Sequence, residues 1–193
     1  MPILPSEPEV YPPDLWASEG PRFELESEDG RRWHCLHVKP RQEKSAARHL
    51  LERRVPFYLP MAIKEGRTPG GRKIRSQVPL FTGYLFLLGD DLARLEAYRT
   101  DCLVNCLEVG DQEGLERDLR QIHRVLGSGL PVVPEPSHPV GSKIRILGGP
   151  LMGLVGTVIR RDGKDHFTAV VRFLGRGVSV ALQDWQIEGF EGN

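Results

Sequence analysis

His34, Cys35 and His37 lie within four residues of one another, and Cys102 and Cys106 follow with three residues between them. Imidazole and thiolate are the usual ligands of zinc, so this is the first place to look for chemistry. The spacing matches no usual ligand pair. In an extended segment Cys102, Val104 and Cys106 point the same way, as core residues do, and a free cysteine behaves as a small hydrophobe. No glycine-rich phosphate loop, nucleophile elbow or carboxylate pair is present in a recognisable frame. The sequence predicts no catalysis, no metal and no cofactor. Its chemistry is that of binding.

Two stretches carry that chemistry. The 193 residues balance 26 basic against 26 acidic side chains, but unevenly. Residues 1–30 hold a net −7, residues 31–60 a net +6 and residues 61–88 a net +4; residues 89–128 hold −4 and residues 129–193 hold +1. A +10 block inside a neutral chain predicts a surface for a polyanion, the plainer alternative being a solvated basic face. Within it Arg41, Lys44 and Arg48 recur at i, i+3 and i+7, flanked by Lys39, Gln42 and His49. The second stretch is PLFTGYLF at 79–86, where Leu80, Phe81, Tyr84 and Phe86 put large apolar residues on both faces of one strand. Either helices cover both faces, or one face is a groove with aromatic anchors for a partner.

The elements that must position these residues follow from periodicity. Residues 1–30, rich in proline, glutamate and serine, are expected to be a disordered acidic extension. WHCLHV alternates as a strand, RQEKSAARHLLERR reads as a helix with Ala46, Ala47, Leu50 and Leu51 on its inner face, and VPFYLPMAI is extended. A turn at TPGG leads back into one strand, KIRSQVPLFTGYLFLL. DDLARLEAYR is helical, CLVNCLEV is a strand, and DQEGLERDLRQIHRVL is a helix with Leu115, Leu119, Ile122 and Leu126 in register and Asp111 as N-cap. This order predicts an α+β fold over 31–127, a small α/β sandwich with helices on an antiparallel sheet. Pro131, Pro134, Pro136 and Pro139 make 128–139 an extended linker. Residues 140–190 then read as five short strands with glycine-rich turns, a small β-barrel.

The spacing of Gly141, Ile144, Ile146, Gly149, Pro150, Leu151, Gly153, Gly156 and Val158 resembles the KOW motif. Together with Trp33–Val38, the basic helix and PLFTGYLF, which stands where the family has F-P-G-Y, it resembles the NusG family over about 31–190. Thr82 replaces the family's usual proline. The forms WHCLHVKPRQ and PLFxxYLF look closer to the specialised RfaH-type antiterminators. The resemblance implies a NusG N-terminal domain followed by an SH3-like KOW barrel.

By the same resemblance, Phe81, Tyr84, Leu80 and Phe86 would dock on the clamp of RNA polymerase. Lys39, Arg41, Gln42, Lys44, Arg48 and His49 would face non-template DNA, and Arg99 and Thr100 would make a second polymerase contact. Leu151, Phe173, Leu174 and Arg176 would hold a partner of the barrel, ribosomal protein S10 or the Rho termination factor. The function implied is transcription elongation and antitermination; a housekeeping factor acting with Rho, or an RNA-binding, ribosome-associated KOW protein, are the alternatives. No apolar run reaches the length of a membrane span, no signal peptide is recognisable, and three cysteines do not make a disulfide framework. A cytoplasmic, bacterial, monomeric factor is the expectation.

Overall fold

The computed structural model describes residues 8–17, 30–67, 71, 73–129, 132–135, 143–146, 152–161, 164–171, 174, 176–181 and 187–189. By internal contacts the chain divides into two units, residues 1–112 and 113–193.

The first unit is built on β1 (Val10–Tyr11), β2 (Arg32–Val38), β3 (Phe57–Tyr58), β6 (Tyr84–Gly89) and β7 (Leu103–Leu107). They form one antiparallel sheet in the order β1-β3-β6-β2-β7. Two further strands, β4 (Met61–Arg67) and β5 (Lys73–Pro79), pair with each other as a separate ribbon. Helices α1 (Glu43–Glu52) and α2 (Asp91–Tyr98) complete the unit. Strand alternation assigns the faces. Leu36, Val38, Leu85 and Leu87 turn one way and pack with Ala46, Ala47 and Leu50 of α1 and Ala97 of α2. Trp33, Cys35 and His37 turn the other way, opposite Leu88, Phe86 and Tyr84 of β6.

Local chemistry sets the helix ends. The Asp90 side chain caps α2 by accepting from the Ala93 amide at 2.8 Å, as an N-cap acid should. Just before it, Gly89 lies so close to the helix that an added Cβ would stand 2.4 Å from Ala93 Cβ. Gly89→Ala is therefore expected to cost about 1–3 kcal/mol by overpacking, read as a lower urea midpoint.

Three expectations need correction. Residues 1–30 are not structureless throughout: β1 pairs with β3, and the Leu59 amide donates to the Glu9 carbonyl at 2.7 Å. Leu15 is buried, and Trp16 stacks on Trp33 at 5.7 Å and meets Tyr58 edge-on at 5.1 Å. The average composition hid four apolar residues, Val10, Tyr11, Leu15 and Trp16, close enough together to dock. Next, PLFTGYLF is not one strand. β5 ends at Pro79, residues 80–83 turn with Gly83 at φ +84°, and β6 begins at Tyr84. Finally, Cys102, Val104 and Cys106 do not share a face: Leu103 sits opposite Val38 while Cys106 sits opposite Leu36. Three steps on β7 span two on β2, a bulge that resets the alternation and leaves Val104 exposed.

The second unit contains all but the first residue of α3 (Gln112–Gly127), which buries Leu115, Leu119, Ile122 and Val125. Its buried Glu116 accepts from Arg120 Nε at 2.9 Å and Nη2 at 2.6 Å, one helical turn on. Five strands lie where a barrel was expected: β9 (Lys143–Ile146), β10 (Val155–Arg161), β11 (Lys164–Val171), β12 (Arg176–Ala181) and β13 (Ile187–Gly189). A sixth, β8 (Val132–Glu135), comes from within the expected linker and joins them. The antiparallel order is β13-β9-β10-β11-β12-β8, so β8 is an edge strand, where Pro134 is tolerated. Among the described residues no helix is long and apolar enough to cross a membrane.

Candidate docking face and basic helix

The turn after β5 is held by hydrogen bonds from several directions. The Leu80 amide donates to the Pro60 carbonyl at 2.8 Å, and the Tyr84 amide to the Phe81 carbonyl at 3.0 Å. The Gly83 carbonyl accepts from Val38 at 2.8 Å. From the other side, the Gly83 amide donates to Glu43 Oε1 at 2.8 Å. Glu43 opens α1 and is 4% exposed, so a residue of the basic helix reaches across to fix the turn. A glutamate at a helix start reads in sequence as a solvated first-turn acid, and nothing in its neighbours signals this use.

The turn decides which aromatic residues are accessible. Phe81 is 2% exposed and Phe86 0%, their rings edge to face at 6.2 Å and 89°. Both belong to the core; as the fold stands, neither ring is offered to a partner. The sequence expectation for these two is corrected, because the turn at 80–83 tucks Phe81 back over β6. Leu80 and Tyr84 are half-buried, and the Tyr84 ring stacks on His37 at 5.4 Å and 23°. His37 was not among the expected site residues, although alternation along β2 places it beside Tyr84. Of the expected docking residues Leu80 and Tyr84 remain partly accessible, Tyr84 with His37 against its ring.

The basic helix is also shorter than its spacing implied. Arg41 and Gln42 precede α1, and Arg41 adopts φ 64° in the turn before it. Lys44 and Arg48 are on the helix, half-buried and exposed respectively, and His49 is half-buried with Nδ1 3.9 Å from Cys102 Sγ. Leu51, expected inside, is 39% exposed. Lys39 is engaged elsewhere: Nζ donates to the Asp101 carbonyl at 2.6 Å and to Oδ1 at 2.9 Å. This contact holds the Asp101 carboxyl below its ordinary range.

The expected second contact divides. Arg99 is exposed and pairs with Glu96. Thr100 is buried, and its hydroxyl donates to the Ala97 carbonyl at 2.7 Å while accepting from the Cys102 amide at 3.2 Å. Thr100 thus closes the end of α2 and is corrected from a contact to a structural residue. In the second unit Leu151 and Phe173 lie outside the described residues, Leu174 is half-buried, and Arg176 opens β12.

His34, Cys35 and Cys102 are buried. Among the described residues no group of three His, Cys, Asp or Glu residues can hold a metal ion. Burial pushes the Cys35 thiol up to about 12, with Cys106 adding to the shift. His34 is buried, with Nε2 3.2 Å from the Gly89 carbonyl and Nδ1 3.9 Å from Cys106 Sγ. Burial lowers its pKa; Arg32 and Arg94 lower it further, while the Gly89 hydrogen bond and Asp91 oppose them. A histidine held below its unfolded value stabilises the fold above that value and loses the contribution as pH falls toward the folded one. Melting temperature is expected to drop as pH is lowered from about 7 to about 5, and to drop less in His34→Gln, with unfolded histidine near 6.5.

Gln112 is a further residue that spacing did not single out. Its side-chain amide accepts from the Trp33 amide at 2.6 Å and donates to the Trp33 carbonyl at 2.9 Å, extending the edge of β2 by a side chain.

Residues 31–134, more than half of the chain, match the family model described as "Transcription termination factor nusG". No curated protein matches the chain.

Proposed function

The chain belongs to the NusG family, and from that premise we propose that it is a transcription elongation and antitermination factor that works by binding and not by catalysis. In this reading Leu80, Tyr84 and His37 dock on the clamp of RNA polymerase. Lys44 and Arg48, with Arg41 beside them, face the non-template DNA strand. Holding both at once keeps the clamp closed over nucleic acid, which opposes pausing and termination. The observation that carries the reading is the half-buried Tyr84–His37 stack, set beside the basic helix inside the family-matched span.

The finer assignments are part of the same proposal. Strands β9–β13 form a KOW barrel, supported by their order and by Gly153 at φ +84° in the turn that the motif requires. That barrel takes ribosomal protein S10 or the Rho termination factor through Leu151, Phe173, Leu174 and Arg176. The form is the specialised, RfaH-like one, acting as a monomer in the cytoplasm.

The test is binding of the full chain to bacterial core RNA polymerase, followed by pause duration on a transcribed template. Binding with shortened pauses is the expected result. A folded chain that fails to bind removes the docking assignment, and affinity for bare RNA alone would instead support the ribosome-associated reading.

A further inference from the structure

A small cleft of the first unit, formed by residues of β2, α2 and β7, is left over by the functions assigned so far. Its volume is about 200 Å³, and Arg32, His34, Arg94, Cys106, Glu108 and Gln112 are among the residues that line it. Pockets for drug-sized molecules measure about 300–1,000 Å³, and a water takes about 30 Å³. The cleft therefore suits a ligand that displaces about six or seven waters.

Some of its polar groups are already committed. The Gln112 side chain is spent on the backbone of Trp33 and Val109. His34 Nε2 lies 3.2 Å from the Gly89 carbonyl, which can only accept, so that nitrogen carries the proton. Nδ1 then turns its lone pair toward Cys106 Sγ at 3.9 Å. The pair is neutral, because burial holds the imidazole below its ordinary pKa and the thiol above its own. The two guanidiniums stand differently. Arg32 Nη2 and Arg94 Nη2 are each 3.3 Å from the same atom, Asp91 Oδ1. Both separations exceed the about 2.7–2.9 Å of a good charge-assisted hydrogen bond. A guanidinium carries five N–H donors, more than a shared oxygen can occupy. One carboxylate thus holds two cations side by side without saturating either. Glu108, the acid on the wall, is exposed.

We propose that the cleft is a binding site for a small anion, a phosphate or carboxylate group that bridges Arg32 and Arg94. The planar fork of an arginine matches both groups. The field at the inner groups agrees with this assignment. At His34 the influence of Arg32 and that of Arg94 each exceed that of Asp91, and at Cys106 both arginines favour the thiolate. An anion beside these groups meets net positive potential. The site shares no residue with the Tyr84 face or the basic helix, and it does not rest on docking to polymerase.

Cys106 serves as the reporter. Cys35 and Cys102 are buried while Cys106 is half-buried, so N-ethylmaleimide, a neutral reagent, reacts first at Cys106 of the folded chain. Mass spectrometry follows that rate in the full-length protein with inorganic phosphate, acetate or chloride at matched ionic strength. Phosphate or acetate should slow the reaction to a plateau that chloride does not reach, and the more protective of the two identifies the group bound. In Arg32→Gln and in Arg94→Gln the concentration for half protection should rise at least about 10-fold, the loss of one hydrogen bond to a charged group. Both arginine side chains are about half exposed, so each variant should keep the parent's melting temperature. A second readout is the His34 imidazole by NMR, assigned with His34→Gln. A bound anion offsets the arginines and raises the His34 pKa in the parent, and in neither arginine variant. Equal slowing by chloride, unchanged half protection in both variants, or a His34 unmoved by saturating phosphate and acetate overturns the site. Failure to bind polymerase with protection intact would remove the proposed function and leave the anion site standing.

Discussion

Replacing Phe81 by alanine is expected to lower the unfolding free energy by about 3–5 kcal/mol, the usual loss for a buried aromatic side chain. The ring is 2% exposed and lies edge-on to Phe86, itself fully buried, so truncation leaves a cavity lined by a second aromatic residue. The turn cannot easily close around that cavity. Hydrogen bonds to Pro60, Val38 and Glu43 hold Leu80 and Gly83 on either side of it. Urea unfolding followed by circular dichroism measures the effect. A variant as stable as the parent, yet unable to bind a partner, would mean that Phe81 is a surface anchor after all.

The complementary variant is Leu80→Ser, Tyr84→Ser. Both side chains are half-buried, and the Tyr84 ring stacks on His37. Their removal should disturb the fold little, within about 1–1.5 kcal/mol for a lost aromatic pair. For polymerase the expectation is different. Central aromatic anchors carry about 2 kcal/mol or more each on truncation, so affinity should fall at least about 30-fold. Equilibrium binding of parent and variant to core polymerase checks this. The two variants separate what the single octapeptide 79–86 combines: one residue pair that builds the fold and another that meets the partner.

The basis of that separation was only partly legible in the sequence. Helical spacing located α3 and the inner face of α1 well, because Ala46, Ala47, Leu50, Leu115, Leu119 and Ile122 obey a period that tertiary contacts did not override. Alternation located β2 for the same reason, whereas its pairing of His37 with Tyr84 is set by the register on β6. It failed at 79–86, where a period of two was carried through a glycine at φ +84°, and again at 102–106, where a bulge inserts a residue. Glycine at 83 was a visible signal for a break; the bulge had none. Glu43, Thr100 and Gln112 were illegible for another reason. Each is a polar residue whose role depends on a backbone group 2 to 79 positions away, and local pattern does not record such distances.

The carboxyl of Glu43, held 2.8 Å from the Gly83 amide, has a consequence for anything bound at both places. Helix α1 and the turn before Tyr84 are joined by a side chain that spans them directly, without an intervening loop to stretch or swing. Whatever α1 and Tyr84 hold is therefore kept at a set spacing and a set bearing. The pair works as a ruler: a ligand seated at one end fixes where the other must arrive.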